Sequence, residues 1–165
     1  MPGRSERWGV WGPFRGPHVD RMRLIDDMKR MVAGEIEQPA AARLVGMRLA
    51  AYGEGEAVVT IDVDDRHANP MGTAQGGVIA AIADAAMGWA FMTTLGEGES
   101  YTTVEMKINF LRPAWKGRLE ARGKVRSGGK TISLIECDVV GADGKVVAHA
   151  VSTCMTLRGE KAAGR

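Results

Sequence analysis

The chain has 165 residues and a mass of 17.7 kDa, which suits one domain with a core of its own. Its net charge is only +2, and its few aromatics are not interleaved with basic residues, which argues against nucleic acid as a partner. Two cysteines, Cys137 and Cys154, are too few for a disulfide framework and read as core thiols of a reduced compartment; with no continuous apolar stretch at the N-terminus to make a secretory signal, the expected location is cytoplasmic.

Residues 1–19 are rich in Gly, Pro and Arg and carry Trp8, Trp11 and Phe14 at three-residue spacing, a tail or an arm that docks its rings on another subunit. A helix is predicted from Asp20, its cap, to about Ala33, with Met22, Ile25, Met28 and Val32 on one face and Gly34 as its stop. From Arg43 the pattern becomes that of strands. Leu44 to Tyr52 and Glu56 to Val63 form a hairpin across Gly53-Glu54-Gly55. A loop then leads into one long apolar helix, Gly76 to Leu95. Four strands follow: Tyr101 to Leu111, Gly117 to Arg126, Thr131 to Val140, and Lys145 to Leu157, the last two joined by an Asp143-Gly144 turn. The domain spans 20–158, and 159–165 is a polar tail. Strands linked by hairpins after a single long helix indicate an α+β antiparallel sheet. A helix apolar nearly all round must be enclosed, and a curved sheet wrapped around it does this.

Inside that helix lies one charge. Between Ala68 and Gly96 the only Asp, Glu, Lys, Arg or His is Asp84. A carboxylate there loses hydration, which costs several kcal/mol unless it is neutralised, paired or used. It lies about two turns from either helix end, too far to act as a cap, and a central acid disfavours a membrane span. A structural acid satisfied by a hydroxyl or arginine and a catalytic acid both remain open.

At the helix start Gly76 and Gly77 leave free backbone amides, backed by the helix dipole, for an anion or a carbonyl oxygen gaining negative charge. Gly76 and Asp84 are about 12 Å apart along the axis and about 80° around it, so they cannot both touch one carbon. If both are catalytic, the site joins the helix start of one subunit to Asp84 of another, and a two-fold dimer makes two such sites. Gly77, Ala80, Ala81 and Gly88 flank Asp84 and leave room for a narrow ligand.

Charge is uneven along the chain. Met31 to Met106 holds three Arg and no Lys against eleven acids, whereas Lys107 to Lys130 holds eight basic residues and one acid, Glu120. In Arg118, Glu120, Arg122, Lys124 and Arg126 the charges fall on every second residue, which places them on one strand face. That face is either a solvated surface or an anion site.

The stretches HANPMGTAQGGVIAAIADAAMGWA, SYTTVEMKINFLRPAWKGRLEARGKVRSGGKT and VVAHAVSTC together closely resemble the hot-dog-fold acyl-CoA thioesterases of the phenylacetic-acid-degradation (PaaI-like) family, over about residues 43–157. The resemblance implies that Asp84 is the nucleophile or general base, that the Gly76 amide polarises the thioester carbonyl, and that Asn69 positions the thioester or water. It gives Thr103 a water-orienting role. It also implies coenzyme A contacts at Gly77, Arg112, Arg126, Ser127, Gly128, Gly129 and Lys130. A homodimer or homotetramer with sites at the subunit interface follows, with an acyl-CoA substrate of small, medium or aryl-acyl type. No metal or separate cofactor is expected; His18, His67 and His149 lack metal-ligand spacing.

Relatives commonly carry His before the two glycines, where this chain has Gln75. Glutamine holds hydrogen bonds but cannot titrate. A thiol pKa near roughly 8.5 lets the leaving group depart without a proton donor at that position. Loss of that histidine also leaves open a non-catalytic acyl-CoA binding module. An enoyl-CoA hydratase-like protein is the third reading, although such proteins expect a His soon after the Asn-Pro, where Met71-Gly72-Thr73 stands.

Overall fold

The structure, a computed structural model, describes residues 21–162, with side chains from Leu24 onward. The aromatic arm expected in residues 1–19 and the Asp20 cap lie outside the described residues. Helix α1 covers Arg21–Ala33 and stops at Gly34, whose φ of 74° is the left-handed conformation that ends helices. Its inner face is set by Met28 and Met31, both buried. Val32, expected inside, is 41% exposed, because one step around the helix carries it past the contact stripe.

The strand expected from Leu44 begins instead at Met47. Residues Ala40–Val45 form a short helix, α2, with Pro39 at its start and Gly46 at φ 85° as its stop. Leu44 is 88% exposed, so it could not have served a strand's core face. Strand β1 (Met47–Gly53) turns through Glu54-Gly55, with Gly55 at φ 71°, into β2 (Glu56–Val63).

Helix α3 (Gly76–Met92) ends three residues before the expected Leu95, capped at Thr93. The Thr93 hydroxyl donates to the Ala90 carbonyl and accepts from the Gly55 amide at 2.7 Å, tying the helix end to the β1–β2 turn. Strands β3 (Ser100–Phe110), β4 (Gly117–Gly128), β5 (Ile132–Gly141) and β6 (Val146–Leu157) complete an antiparallel sheet in the order β1-β2-β4-β5-β6-β3. The β5–β6 hairpin turns where Asp143-Gly144 predicts, with Gly144 at φ 77°. After β6 the tail makes a short 3-10 turn, Gly159–Lys161, and buries Ala162.

The core lies between the sheet and α3, which touches every strand. Ile82, Ala83, Ala86, Met87 and Ala90 meet Val59, Ile61, Ala121, Ile135 and Val139, all nearly inaccessible. Cys137 and Cys154 are free and buried in the sheet. Close approach depends on Gly123 of β4, where a Cβ would lie 2.4 Å from the Ala86 carbonyl oxygen. Gly123→Ala must therefore push helix and sheet apart. We expect a loss of about 1–3 kcal/mol, the usual cost of overpacking, read as a lower midpoint in chemical denaturation.

Two surfaces of the single chain stay open. Gly77 and Asp84 are exposed on an open face of the otherwise apolar α3. The eleven-residue β3 pairs only with β6, leaving a long free edge on which Val104 and Phe110 are more than half exposed. Among the described residues, no helix is long and apolar enough to cross a membrane.

Candidate functional site

The loop before α3 is organised by Asn69. Its side-chain oxygen accepts from the Met71 and Thr73 amides at 2.9 and 3.2 Å, and Nδ2 donates to Thr73 Oγ1 at 2.8 Å. The second Nδ2 hydrogen has no acceptor among the described residues. Behind the loop, His67 is buried; its Nδ1 accepts from the Asp64 amide, so Nε2 carries the proton given to the Val45 carbonyl at 2.8 Å. The Ala74 amide donates to Ala114, and the Gln75 amide donates to His67. Gln75 therefore enters α3 in an extended conformation with its side chain exposed and making no cap.

That rigid approach presents the amides of Gly76 and Gly77, which donate to no protein acceptor among the described residues. The Phe110 ring lies against Gly76, where a Cβ would be 3.1 Å from the ring tip. A cavity of about 360 Å³ opens here, lined by Asn69, Gly76, Phe110 and Arg112. It adjoins a larger one of about 490 Å³ through the shared segment Arg112-Pro113-Ala114, which brings Trp115, Lys116 and Arg118 to the same surface.

Asp84 stands apart from this. Its carboxylate is on the open face of α3, with Thr103 Oγ1 at 3.5 Å from Oδ1. The Thr103 hydroxyl is backed by Cys154 Sγ at 3.9 Å, and that sulfur by the buried Ser152 hydroxyl at 3.4 Å. Exposed outward and crowded inward, the Asp84 carboxyl titrates above its ordinary value; lost hydration raises it, and the Thr103 hydrogen bond opposes the rise. The room expected beside Asp84 at Gly88 is already filled. Gly88 is buried, and a Cβ there would be 2.3 Å from the Tyr101 hydroxyl. Sequence reasoning missed Tyr101, although it lies two residues before Thr103 and so shares the helix-facing side of β3.

The residues named for coenzyme A divide. Arg112 is at the Gly76 cavity. Arg126 pairs with Glu136 at 2.9 Å on the outer sheet face, and Gly129 closes the β4–β5 turn onto Ile132. Gly128 pairs with Ser133, Ser133 with Cys154, and Cys154 with Thr103, so the Ser127–Lys130 end of β4 is level with Asp84 rather than with Gly76. Phe110, beside Gly76, is seven residues further along β3, roughly 23 Å at strand rise. Within one chain the two groups do not meet. The alternating charges of β4 lie on one face as expected, and they are mutually paired: Arg118 and Arg122 with Glu120, Lys124 with Glu56.

Residues 71–148 match the sequence profile of the Thioesterase superfamily. The chain is 35% identical, over 70% of its length and 82% of the other, to a Saccharolobus solfataricus protein whose name assigns it provisionally to the esterases. It is 31% identical, over 68% of its length and 79% of the other, to the acyl-coenzyme A thioesterase PaaI of Escherichia coli. The solved structure of Escherichia coli PaaI superimposes with a TM-score of 0.70 and 26% identity, covering 81% of this chain and 96% of that one.

Proposed function

This chain belongs to the PaaI-like hot-dog thioesterases, and from that premise we propose that it hydrolyses small, medium or aryl-acyl CoA thioesters at sites built by two subunits. The observation that carries the shared site is the split within one rigid helix: free amides at Gly76 and a lone carboxylate at Asp84, too far apart for one substrate carbon. The open face of α3 and the free edge of β3 supply the surfaces on which a second copy would complete each site. One subunit then contributes Asn69, Gly76, Gly77 and Arg112. The other contributes Asp84, Thr103 and the Arg126–Lys130 segment, so the coenzyme A residues divide as the catalytic ones do.

In the reaction the Gly76 amide donates to the thioester oxygen as it gains charge. Asp84, oriented by Thr103, either attacks the carbonyl carbon or takes a proton from an attacking water. A carbon–oxygen bond forms, the carbon–sulfur bond breaks, and coenzyme A leaves as its thiolate and is protonated from solvent; where Asp84 has attacked, water then hydrolyses the acyl–aspartyl anhydride to the free acid and the Asp84 carboxylate. Single-turnover hydrolysis in ¹⁸O-water tests the first route: label in the Asp84 carboxylate after turnover marks attack by Asp84 followed by water opening the anhydride at the aspartyl carbon. The first test of the function is thiol release across a panel of acyl-CoA thioesters by the wild type and Asp84→Ala. No release by the wild type from any of them would overturn it.

Gln75 supplies a further expectation. If it only positions the thioester, Gln75→His changes kcat/KM by less than about tenfold, roughly 1.4 kcal/mol, and adds an ionisation near about pH 6 to 7. A pH–rate profile of both proteins on one thioester checks this. A much larger gain in the variant would mean that the wild type lacks a proton donor it needs.

A further inference from the structure

We propose that Ser152 and Cys154 are positioning residues of the hydrolase: with Thr103 they form one directed line of hydrogen-bond donors that holds the Asp84 carboxylate in place and favours its ionised form against burial. This rests on the hydrolase reading above, because it names what governs the acid which that reading puts at the reacting carbon.

Ser152 is an unexpected side chain for its place. The core-facing row of β6 is Ala148, Ala150, Ser152 and Cys154, all fully buried. Across the sheet Ser152 is opposite Ile135 of β5 and Met106 of β3, both apolar. Its hydroxyl has a single partner among the described residues, Cys154 Sγ at 3.4 Å. A buried hydroxyl that donates to nothing costs about 1–3 kcal/mol, so the Ser152 hydrogen goes to that sulfur.

The rest of the line follows from counting hydrogens, since a thiol and a hydroxyl carry one each. Cys154 accepts from Ser152 and has its own hydrogen left for its other partner, Thr103 Oγ1, at 3.9 Å, a distance that the larger sulfur atom permits. Thr103 accepts from Cys154 and has its hydrogen left for Asp84 Oδ1 at 3.5 Å. Ser133, opposite Cys154 in β5, stays outside the line; its oxygen accepts from the Gly129 amide. The direction is therefore set from the buried end, and donors aligned in this way strengthen one another.

A donor turned towards Asp84 favours carboxylate over acid. Burial raises the Asp84 pKa, and the Thr103 bond at the end of this line is what opposes the rise. Backbone geometry serves the same end. Thr103 is paired with Cys154, and a bulge at Val104 breaks the β3–β6 register directly after it; bulges beside active sites re-aim a side chain. The other titratable groups facing Asp84 are the Tyr101 phenol of β3 and the Cys154 thiol, both pushed by burial above their ordinary values and so neutral. Helix α3 adds no other charge, and the shared site brings Arg112 of the second subunit.

The test follows the titration of Asp84 by carbon NMR in the full-length protein made with ¹³C-labelled aspartate, its signal identified by its loss in Asp84→Asn. Ser152→Ala and Cys154→Ala should each raise the midpoint by roughly 0.3 to 1 pH unit, the worth of one hydrogen bond in the line. Cys154→Ser, which keeps a group with one hydrogen to pass on, should stay nearer the wild type than Cys154→Ala. Ile135→Val, which loosens the same core and removes no donor, should leave the midpoint where it is. In thiol release the two alanine variants should lose about two- to tenfold in kcat below the midpoint, recover towards the wild type above it, and keep their KM. Unmoved midpoints in both alanine variants, or an equal shift in Ile135→Val, overturn the proposal even if the protein hydrolyses thioesters. So does a loss of kcat that is the same at every pH, which marks a purely structural role. A shifted midpoint in a protein that releases no thiol would leave the donor line standing and sink the hydrolase reading.

Discussion

Asp84→Asn lowers kcat by about 10²-fold or more, the contribution expected of a general base or nucleophile, while the protein becomes no less stable. Both halves follow from one position. The carboxylate is the lone charge on α3, hydrogen-bonded only weakly by Thr103 at 3.5 Å, and its raised pKa means that the fold favours its protonated form. In the unfolded chain the acid ionises first, so between the unfolded and folded pKa values the native state binds more protons, and stability falls as pH rises through that window. Above it the cost of holding the charge is fully felt, and asparagine, which keeps the shape without the charge, is relieved of it. A Tm for Asp84→Asn equal to or above the wild-type value at neutral pH, with kcat reduced, is the expected pair. A drop in Tm with turnover intact would make Asp84 a structural acid. For the same reason wild-type activity should climb with pH through an ionisation above the ordinary carboxylate value, and the Asn variant should lack that limb.

Much of this was legible in the sequence because it depends on local spacing. The alternation in β4, the Asp143-Gly144 turn, the glycine stop after α1 and the uncharged run around Asp84 are patterns within a few residues, and the chain folds as they indicate. What failed depended on partners distant in sequence. Leu44 looks like the start of a strand until Pro39 and Gly46 are weighed as the ends of a helix turn. Gly88 looks like space beside the carboxylate until Tyr101, thirteen residues on, is folded back over it. The partners of the basic run of β4 were equally out of reach of local spacing: Glu56 and Glu136, from neighbouring strands, pair with Lys124 and Arg126. The isolation of Asp84 in sequence suggests burial, yet in one chain the residue is exposed. That mismatch between an apolar helix and its open face is itself the physical argument for a partner.

Mixing two inactive variants therefore restores activity. Asp84→Ala removes the carboxylate, and Gly76→Pro removes the amide donor at the first helical position, where proline is otherwise well tolerated. The new ring meets Phe110, which is 53% exposed and can turn away. In a mixed dimer one site takes Gly76 from the first variant and Asp84 from the second, and is intact; the other site combines both defects. Random exchange at equal amounts makes half the dimers mixed, so total activity recovers to about a quarter of the wild-type value by two-fold symmetry. If Gly76 and Asp84 served one site within a single chain, no recombination could rebuild it. Native mass spectrometry establishes that mixed dimers have formed, and the thiol-release rate of that same sample decides the matter: recovery near a quarter places each site across two subunits, and a dead mixture of proven heterodimers rules that arrangement out.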